Sequence, residues 1–232
     1  MRTLAVLPVK RFGAAKQRLG ERLAPPVRAA LAEAMVADVL EAATACAAIE
    51  RTVVVTAEPR AAHLARAAGA DVVTDTREAG QSPAAAIGVG NALAAGWERV
   101  LLLPGDTPLV TARELEELMA RPSVPERGVA IVSDRHGTGT NGLVLSPPDA
   151  LVPRFGPQSL ARHLAAARSA SVACGVERVR ALEHDVDTPE DLGALAGALE
   201  DADAVAARHT RRALARVGLV GARPVAVAEA QP

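Results

Sequence analysis

Residues 101–109 read LLLPGDTPL, and this stretch carries the strongest local signal in the sequence. Three leucines run directly into Pro104-Gly105, which predicts a buried strand that ends abruptly. Asp106 follows at once. Ligands bind beyond the carboxyl ends of strands in a parallel sheet, so this carboxylate is placed to hold Mg²⁺, which prefers oxygen ligands. A plain turn role for Asp106 is an equal alternative at this point.

Strands and helices are predicted to alternate on the N-terminal side of this stretch. Short apolar runs predict strands at Thr3–Val9, Arg51–Thr56 and Asp71–Thr74, with helical patterns between them. Such alternation is typical of an α/β fold with a mostly parallel twisted sheet flanked by helices. We expect one domain over residues 1–200. Residues 201–232 read as an Ala/Arg-rich C-terminal helix and tail, interpreted as a solvated appendage.

Composition excludes several classes of protein. The 232 residues carry a net charge of -1 and 1% aromatics, which argues against nucleic-acid binding by stacking or by a basic footprint. Two cysteines are too few for a disulfide framework, and they form no CxxC motif. No apolar run is long enough to span a membrane. We therefore expect a cytoplasmic protein without membrane or nucleic-acid partners.

The loop after the first predicted strand, VKRFGAAKQRL, is rich in cations. Lys10, Arg11, Lys16 and Arg18 surround Gly13. Cations beyond a strand end suit a triphosphate. The loop lacks the GxxxxGK[ST] pattern of a P-loop, and a solvated basic loop is the favoured interpretation when it is considered alone.

A second acidic stretch, DVDTPEDL, precedes the last predicted helix of the domain. Asp185 and Asp187 point the same way if the segment is extended. One of them is a candidate to share a metal ion with Asp106. The alternative is that both acids only cap the helix that begins near Pro189.

Two further loops offer groups that bind anions. Residues 135–142 contain a literal GxGxxG, but a strand rather than a helix is predicted after it, so a dinucleotide site is disfavoured. Thr140 and Asn141 offer donors there. In RFGPQSLARH, Gly156 and Ser159 lie at a predicted helix start, where an anion is favoured. His163 in that segment is interpreted as a satisfied polar residue.

Motifs for a nucleophile with its own general base are missing from the sequence. No serine elbow, Cys/His pair or acid–base dyad is found. A phosphate monoester, whose second pKa is about 6, is already an anionic nucleophile and needs no base. The sequence thus favours phosphoryl-group chemistry by positioning, metal and positive charge.

In order along the chain, VKxxxxAKxRL, LLLPGDTPL, TGTNGL, FGPxS and DVDTPEDL resemble one family over about residues 3–200. They look like the phosphoenolpyruvate / 2-phospho-L-lactate guanylyltransferases of deazaflavin coenzyme F-420 biosynthesis. These belong to the MobA-like nucleotidyltransferases, which have a Rossmann-like, GT-A-type sheet. The resemblance implies transfer of GMP from GTP to a small phosphorylated acid, with phosphoenolpyruvate favoured. The alternatives are 2-phospho-L-lactate, 3-phosphoglycerate, or a molybdenum-cofactor nucleotidyltransferase activity.

The same resemblance assigns roles to residues of this chain. It implies Mg²⁺ held by Asp106 and Asp187, with Lys10 and Lys16 facing the triphosphate as catalytic groups. The product would pass to a lactyl-phospho deazaflavin transferase. Gly80-Gln81-Ser82 stands where the wider group often has Gly-Leu-Asn near the base. The other implied contacts are Gly80, Ser82, Pro104 and Gly105 with the nucleotide, and Thr140, Asn141, Gly156 and Ser159 with the acid.

Overall fold

The computed structural model describes residues 1–121, 124–201 and 206–221. Within them, one sheet contains seven strands in the order β3-β2-β1-β4-β6-β5-β7. The strands are β1 (Thr3–Val9), β2 (Arg51–Thr56), β3 (Asp71–Thr74), β4 (Arg99–Leu102), β5 (Gly128–Ser133), β6 (Thr140–Ser146) and β7 (Cys174–Glu177). The helices are α1 (Pro25–Ala45), α2 (Pro59–Ala67), α3 (Gln81–Ala94), α4 (Ala112–Met119), α5 (Ser159–Ser169), α6 (Pro189–Asp201) and α7 (Arg208–Ala215), with 3₁₀ turns at Phe12–Ala14, Gln17–Leu19 and Arg180–Glu183.

The sheet is mostly parallel, as the sequence predicts. Strands β1 to β4 run parallel to one another, and only β6 runs antiparallel to its neighbours. The loops after β1, β2, β3 and β4 therefore gather at one edge. Leu102 of β4 lies opposite Leu143 of β6. Because the two strands are antiparallel, the start of β6 at Thr140 reaches that same edge.

Two apolar layers cover the sheet. Alternate residues of β1 point to opposite faces, so Ala5 and Leu7 join the layer of α1, α2 and α4, while Leu4 and Val6 join that of α3 and α5. Helix α3 lies very close to the sheet at Gly88. A Cβ there would stand 2.3 Å from Val6 Cγ1. We infer that only glycine permits this close approach.

Local signals set several element boundaries. Helix α4 begins with a capping box, in which Glu114 N donates to Thr111 Oγ1 at 3.2 Å and Thr111 N donates to the Glu114 carboxylate at 3.1 Å. Helix α3 begins at Gln81, directly after Gly80. Gly142 lies inside β6. The GxGxxG segment thus leads into a strand, which confirms that it is not a dinucleotide motif.

The interpretation of the C-terminal segment as a solvated appendage is wrong for residues 206–221. Asp38 of α1 is buried and accepts hydrogen bonds from the backbone N–H groups of His209 and Thr210, at 2.9 and 2.8 Å. Leu214 is buried in a cluster with Leu31 and other apolar residues of α1 and α6. The expected helix is α7, whereas the expected tail at residues 222–232 lies outside the described residues. The domain boundary at residue 200 stays a prediction. No helix within the described residues is long and apolar enough to cross a membrane.

Candidate active site

A cavity of about 380 Å³ opens at the carboxyl ends of β1, β2, β3 and β4. Its walls come from the loops after these four strands, from α1, from the start of α3 and from the segment before α6. The topology therefore brings together residues that lie up to 179 positions apart in the sequence. Seven predicted site residues line it: Lys10, Lys16, Gly80, Pro104, Gly105, Asp106 and Asp187.

Lys16 joins the two carboxylates that the sequence proposes as metal ligands. Its Nζ lies 2.5 Å from Asp106 Oδ2 and 3.1 Å from Asp187 Oδ1. The Lys16 side chain is only 7% exposed. Burial disfavours its charge, but attraction to the two carboxylates more than offsets this, so the pKa of Lys16 is raised and the ammonium persists at neutral pH.

Asp185 lies behind these groups and faces the interior. Its Oδ1 accepts a hydrogen bond from Asn141 Nδ2 at 3.0 Å. Burial and the charges of Asp106 and Asp187 raise the pKa of Asp185 to about 6. Asn141 also donates to the Leu182 carbonyl at 2.7 Å. In this structure Asn141 thus fixes the acidic segment instead of opening toward solvent.

The start of α6 explains the position of Asp187. Asp191 Oδ2 accepts from the backbone N–H groups of Asp187 and Thr188, at 3.0 and 2.7 Å. Arg135 forms an ion pair with Asp191. Thr188 and Asp191 therefore cap this helix together, since Asp191 N–H donates in return to Thr188 Oγ1 at 3.3 Å, and the Asp187 side chain stays 52% exposed at the cavity.

The acidic residues fit a divalent cation. A single Lys16 ammonium bridges the carboxylates of Asp106 and Asp187. Burial, together with repulsion from these two acids, raises the pKa of Asp185. A hard cation is the natural partner for such oxygen donors. A second group of ligand-type residues, Asp38, Glu41 and His209, lies on the α1–α7 contact. Its Asp38 oxygens already accept the α7 backbone N–H groups.

The basic loop makes contacts with Glu58 and Glu78 that the sequence analysis did not predict. Phe12 is buried, and its N–H donates to Glu58 Oε2 at 3.1 Å. Arg11 forms a bidentate ion pair with Glu78 from the loop after β3. Glu58 could have been found from the sequence, because an acidic residue directly before a helix such as α2 is a candidate capping residue. No sequence pattern singles out Glu78. Lys10 is exposed at the cavity, whereas Arg18 is not among its lining residues.

The residues predicted to bind the acid do not line this cavity. Thr140 and Ser159 are buried, and His163, which contacts Thr140, is fully buried. Arg154 N–H donates to His163 Nε2 at 2.8 Å, so that nitrogen is unprotonated and Nδ1–H donates to Thr140 Oγ1 at 3.0 Å. Burial, with the nearby charges of Arg162 and Arg154, lowers the pKa of His163 to about 4. His163 is thus a satisfied neutral histidine, as predicted.

The remaining predicted residues lie at the border of this region. Gly156 is exposed and adopts φ +108°, a conformation that favours glycine. Ser82 is not among the lining residues of the cavity, and its Oγ donates to the Phe155 carbonyl at 3.4 Å. The contact of Ser82 with the nucleotide therefore stays a prediction.

Solved structures with this architecture are nucleotidyl- and sugar-nucleotide transferases. A nucleotide-diphospho-sugar transferase candidate from Desulfovibrio desulfuricans matches with a TM-score of 0.71 and 17% identity, over 94% of this chain and 97% of that one. A nucleotidyl transferase from a Methanothermobacter species matches with a TM-score of 0.59 and 21% identity, over 87% of this chain and 99% of that one. At such identities the likeness establishes the fold alone. It confirms the predicted nucleotidyltransferase-type α/β fold.

The family follows from the sequence matches. The family model described as "Guanylyl transferase CofC like" matches residues 3–212, so the chain belongs to this family. A phosphoenolpyruvate guanylyltransferase from Conexibacter woesei is 47% identical over 84% of this chain and 87% of its own length. A 3-phospho-D-glycerate guanylyltransferase from Phenylobacterium zucineum is 35% identical, over 81% and 86%. These matches confirm the resemblance drawn from the motifs.

Proposed function

We propose that this chain transfers GMP from GTP to phosphoenolpyruvate and releases pyrophosphate. The observation that carries the proposal is the juxtaposition of Lys16, Asp106 and Asp187 in a cavity of about 380 Å³, in a chain of the guanylyltransferase family. Phosphoenolpyruvate is favoured over other acids because the relative that is 47% identical bears that name.

The transfer is an in-line displacement. A phosphate oxygen of the acid attacks the α-phosphorus of GTP, the bond from that phosphorus to the β-bridging oxygen breaks, and pyrophosphate leaves. The attacking phosphate is already anionic near neutral pH, so no general base is required. Lys10 and Lys16 supply positive charge for the leaving pyrophosphate, which fixed cations stabilise without reorganisation. Lys16 is prepared for this role because its ammonium persists at neutral pH.

Mg²⁺ is the metal we propose for this site, with Asp106 and Asp187 as the residues that would hold it. When bound, the ion supplies charge neutralisation at the reacting phosphates. Lys16, which bridges the two carboxylates in the structure, keeps them close together. Gly80, Pro104 and Gly105 shape the wall along which the nucleotide lies. Ser82 is the other proposed nucleotide contact.

We propose that the acid binds beside this cavity, at the start of β6 and the loop before α5. Thr140, Gly156 and Ser159 are its proposed contacts, with Asn141 as a neighbour. The support is positional, since β6 begins at the edge where β4 ends. Thr140 is held in a fixed orientation by His163. The exposed backbone at Gly156 offers an N–H to an anion.

The proposed setting is the cytoplasm, with the product passed to a lactyl-phospho deazaflavin transferase of coenzyme F-420 assembly. Cys46 and Cys174 are both free thiols, which supports a reducing compartment. Neither nucleic acid nor membrane is a proposed partner.

Pyrophosphate release tests the reaction and the acid together. The purified chain is incubated with GTP and Mg²⁺ and with phosphoenolpyruvate, 2-phospho-L-lactate or 3-phosphoglycerate in separate reactions, with ATP and CTP as nucleotide controls. We expect release only with GTP, and fastest with phosphoenolpyruvate. Faster release with 3-phosphoglycerate favours the activity named for the Phenylobacterium relative. If no pyrophosphate is released with any of the acids, the proposal is contradicted. The molybdenum-cofactor nucleotidyltransferase activity is then the favoured alternative.

A further inference from the structure

Arg11 and Glu78 form a two-pronged ion pair in the wall of the nucleotide cavity. Arg11 Nε donates to Glu78 Oε2 at 2.8 Å, and Arg11 Nη2 donates to Glu78 Oε1 at 2.9 Å. Both residues line the cavity, and their side chains are 50% and 44% exposed. Exposed ion pairs add little to stability. The pair is therefore better explained by what the cavity binds than by the needs of the fold.

The backbone around Glu78 is held in an unusual shape. Asp75 Oδ1 accepts from the N–H groups of Arg77 and Glu78, at 3.2 and 3.0 Å. Glu78 adopts φ +47°, in the left-handed region that non-glycine residues rarely enter. Conformations of this kind persist where the surroundings impose them, often at ligand clamps. The turn thus fixes the direction from which the Glu78 carboxylate faces the cavity.

The sheet order sets which end of a nucleotide reaches Glu78. Asp106 follows β4 and Glu78 follows β3, and β2 and β1 lie between these two strands. Three strand spacings separate the two loops by roughly 14 Å. If the phosphates of GTP lie at Lys16 and Asp106, as the proposed function requires, the nucleotide extends across β1 and β2. Its base then lies against the loop that carries Glu78.

We propose that Glu78 selects guanine, by accepting hydrogen bonds from the N1–H and the C2 amino group of the base. These two donors belong to an N–C–N unit with the same forked shape as the guanidinium of Arg11, which makes two such bonds to Glu78. In the structure Arg11 therefore occupies the place that the proposal assigns to the base. Adenine lacks both donors on this edge, and hypoxanthine lacks the amino group. The assignment rests on the proposed use of GTP.

Equilibrium binding with three nucleotides tests this assignment on the full-length chain. GTP, ITP and ATP are titrated with Mg²⁺ into the wild type, Glu78→Ala and the control Glu117→Ala. Glu117 forms an exposed ion pair with Arg113 on α4, outside the cavity lining. We expect the wild type to prefer GTP over ITP by about 10- to 100-fold, because a charge-assisted hydrogen bond is lost with ITP. Glu78→Ala should bind GTP and ITP about equally, whereas Glu117→Ala should keep the wild-type preference.

Binding of guanosine to Arg11→Ala tests the second half of the proposal. Removal of the competing guanidinium should tighten binding of guanosine and leave binding of adenosine unchanged. Guanosine is used because it has no phosphates, so the lost positive charge cannot weaken its binding through them. Unchanged affinity for guanosine overturns the competition between Arg11 and the base.

The outcomes separate this assignment from the proposed function. A Glu78→Ala variant that keeps the wild-type preference for GTP over ITP overturns the assignment, even if pyrophosphate is released normally. If the wild type prefers GTP over ITP and Glu78→Ala loses this preference, but no pyrophosphate is released with any acid, the proposed function is overturned. Glu78 then stays the guanine-selecting residue. If no nucleotide binds to the wild type, both proposals fail.

Discussion

The two halves of the proposed site are built by opposite physical means. The nucleotide half is a cavity lined by ion pairs, in which Lys16 pairs with Asp106 and Asp187, and Arg11 pairs with Glu78. In the acid half Thr140 and Ser159 are buried, and an uncharged His163 fixes Thr140 in place. The charged groups proposed to meet phosphate and metal line the cavity, where they can exchange partners. Groups that only need a fixed direction are held by neutral hydrogen bonds in the core.

This difference predicts how each half responds to change. A substitution that removes a charge from the nucleotide half leaves its partner ion at the cavity, so we expect the fold to tolerate the loss while the chemistry does not. A charge created in the acid half must be buried, which lowers the stability of the fold. Three experiments test the contrast, in order of expected effect.

Asp106→Asn should lower the rate of pyrophosphate release about 100- to 1,000-fold, the range seen when one group that stabilises a transition state is lost. The variant removes a proposed metal ligand and the shorter of the two Lys16 contacts. Steady-state rates at saturating GTP and phosphoenolpyruvate measure the effect. Asp71→Asn, at the exposed start of β3 on the opposite sheet edge, is the control and should keep normal activity. Near-normal rates in both Asp106→Asn and Asp187→Asn would falsify the metal assignment.

Acidification should destabilise the chain through His163. The pKa of His163 is about 4 in the folded state against 6.5 for the ordinary residue, so the unfolded chain binds the proton more readily. Stability from this residue is present above pH 6.5 and is lost as the pH falls toward 4. Between pH 7 and pH 5 the loss is about 2 kcal/mol.

Urea unfolding at both pH values, for the wild type and for His163→Asn, measures this effect. The variant should be less stable at pH 7 but lose less stability on acidification than the wild type does. The same loss in both chains would show that other groups carry the pH dependence.

Asp187→Asn should raise the Mg²⁺ concentration for half-maximal rate by at least about 10-fold, as loss of support around a metal does. Asp185→Asn should change it less, because Asp185 is engaged with Asn141 and lies deeper. Titration of the rate with Mg²⁺ compares the two variants directly. A larger effect of Asp185→Asn than of Asp187→Asn would identify Asp185 as the second metal ligand.

The parallel part of the fold could be predicted because its signals are local. Apolar runs such as Thr3–Val9 coincide with strands, and the capping box at Thr111 starts α4 as expected. The docking of α7 could not be predicted in the same way. It depends on Asp38 accepting two backbone hydrogen bonds from residues more than 170 positions away. The Ala/Arg-rich composition of the segment gave no sign of this contact.

Within the site, short motifs were enough to predict which residues carry the chemistry of the nucleotide half. Lys16, Asp106 and Asp187 stand in motifs whose residue types suit phosphate and metal. The folded structure alone sets how they meet, with one ammonium between two carboxylates. It also decided that Asn141 supports Asp185 and that Glu78 faces the cavity opposite Arg11. The physical reason is that residue type sets what a group can bind, whereas strand order and register set its partner.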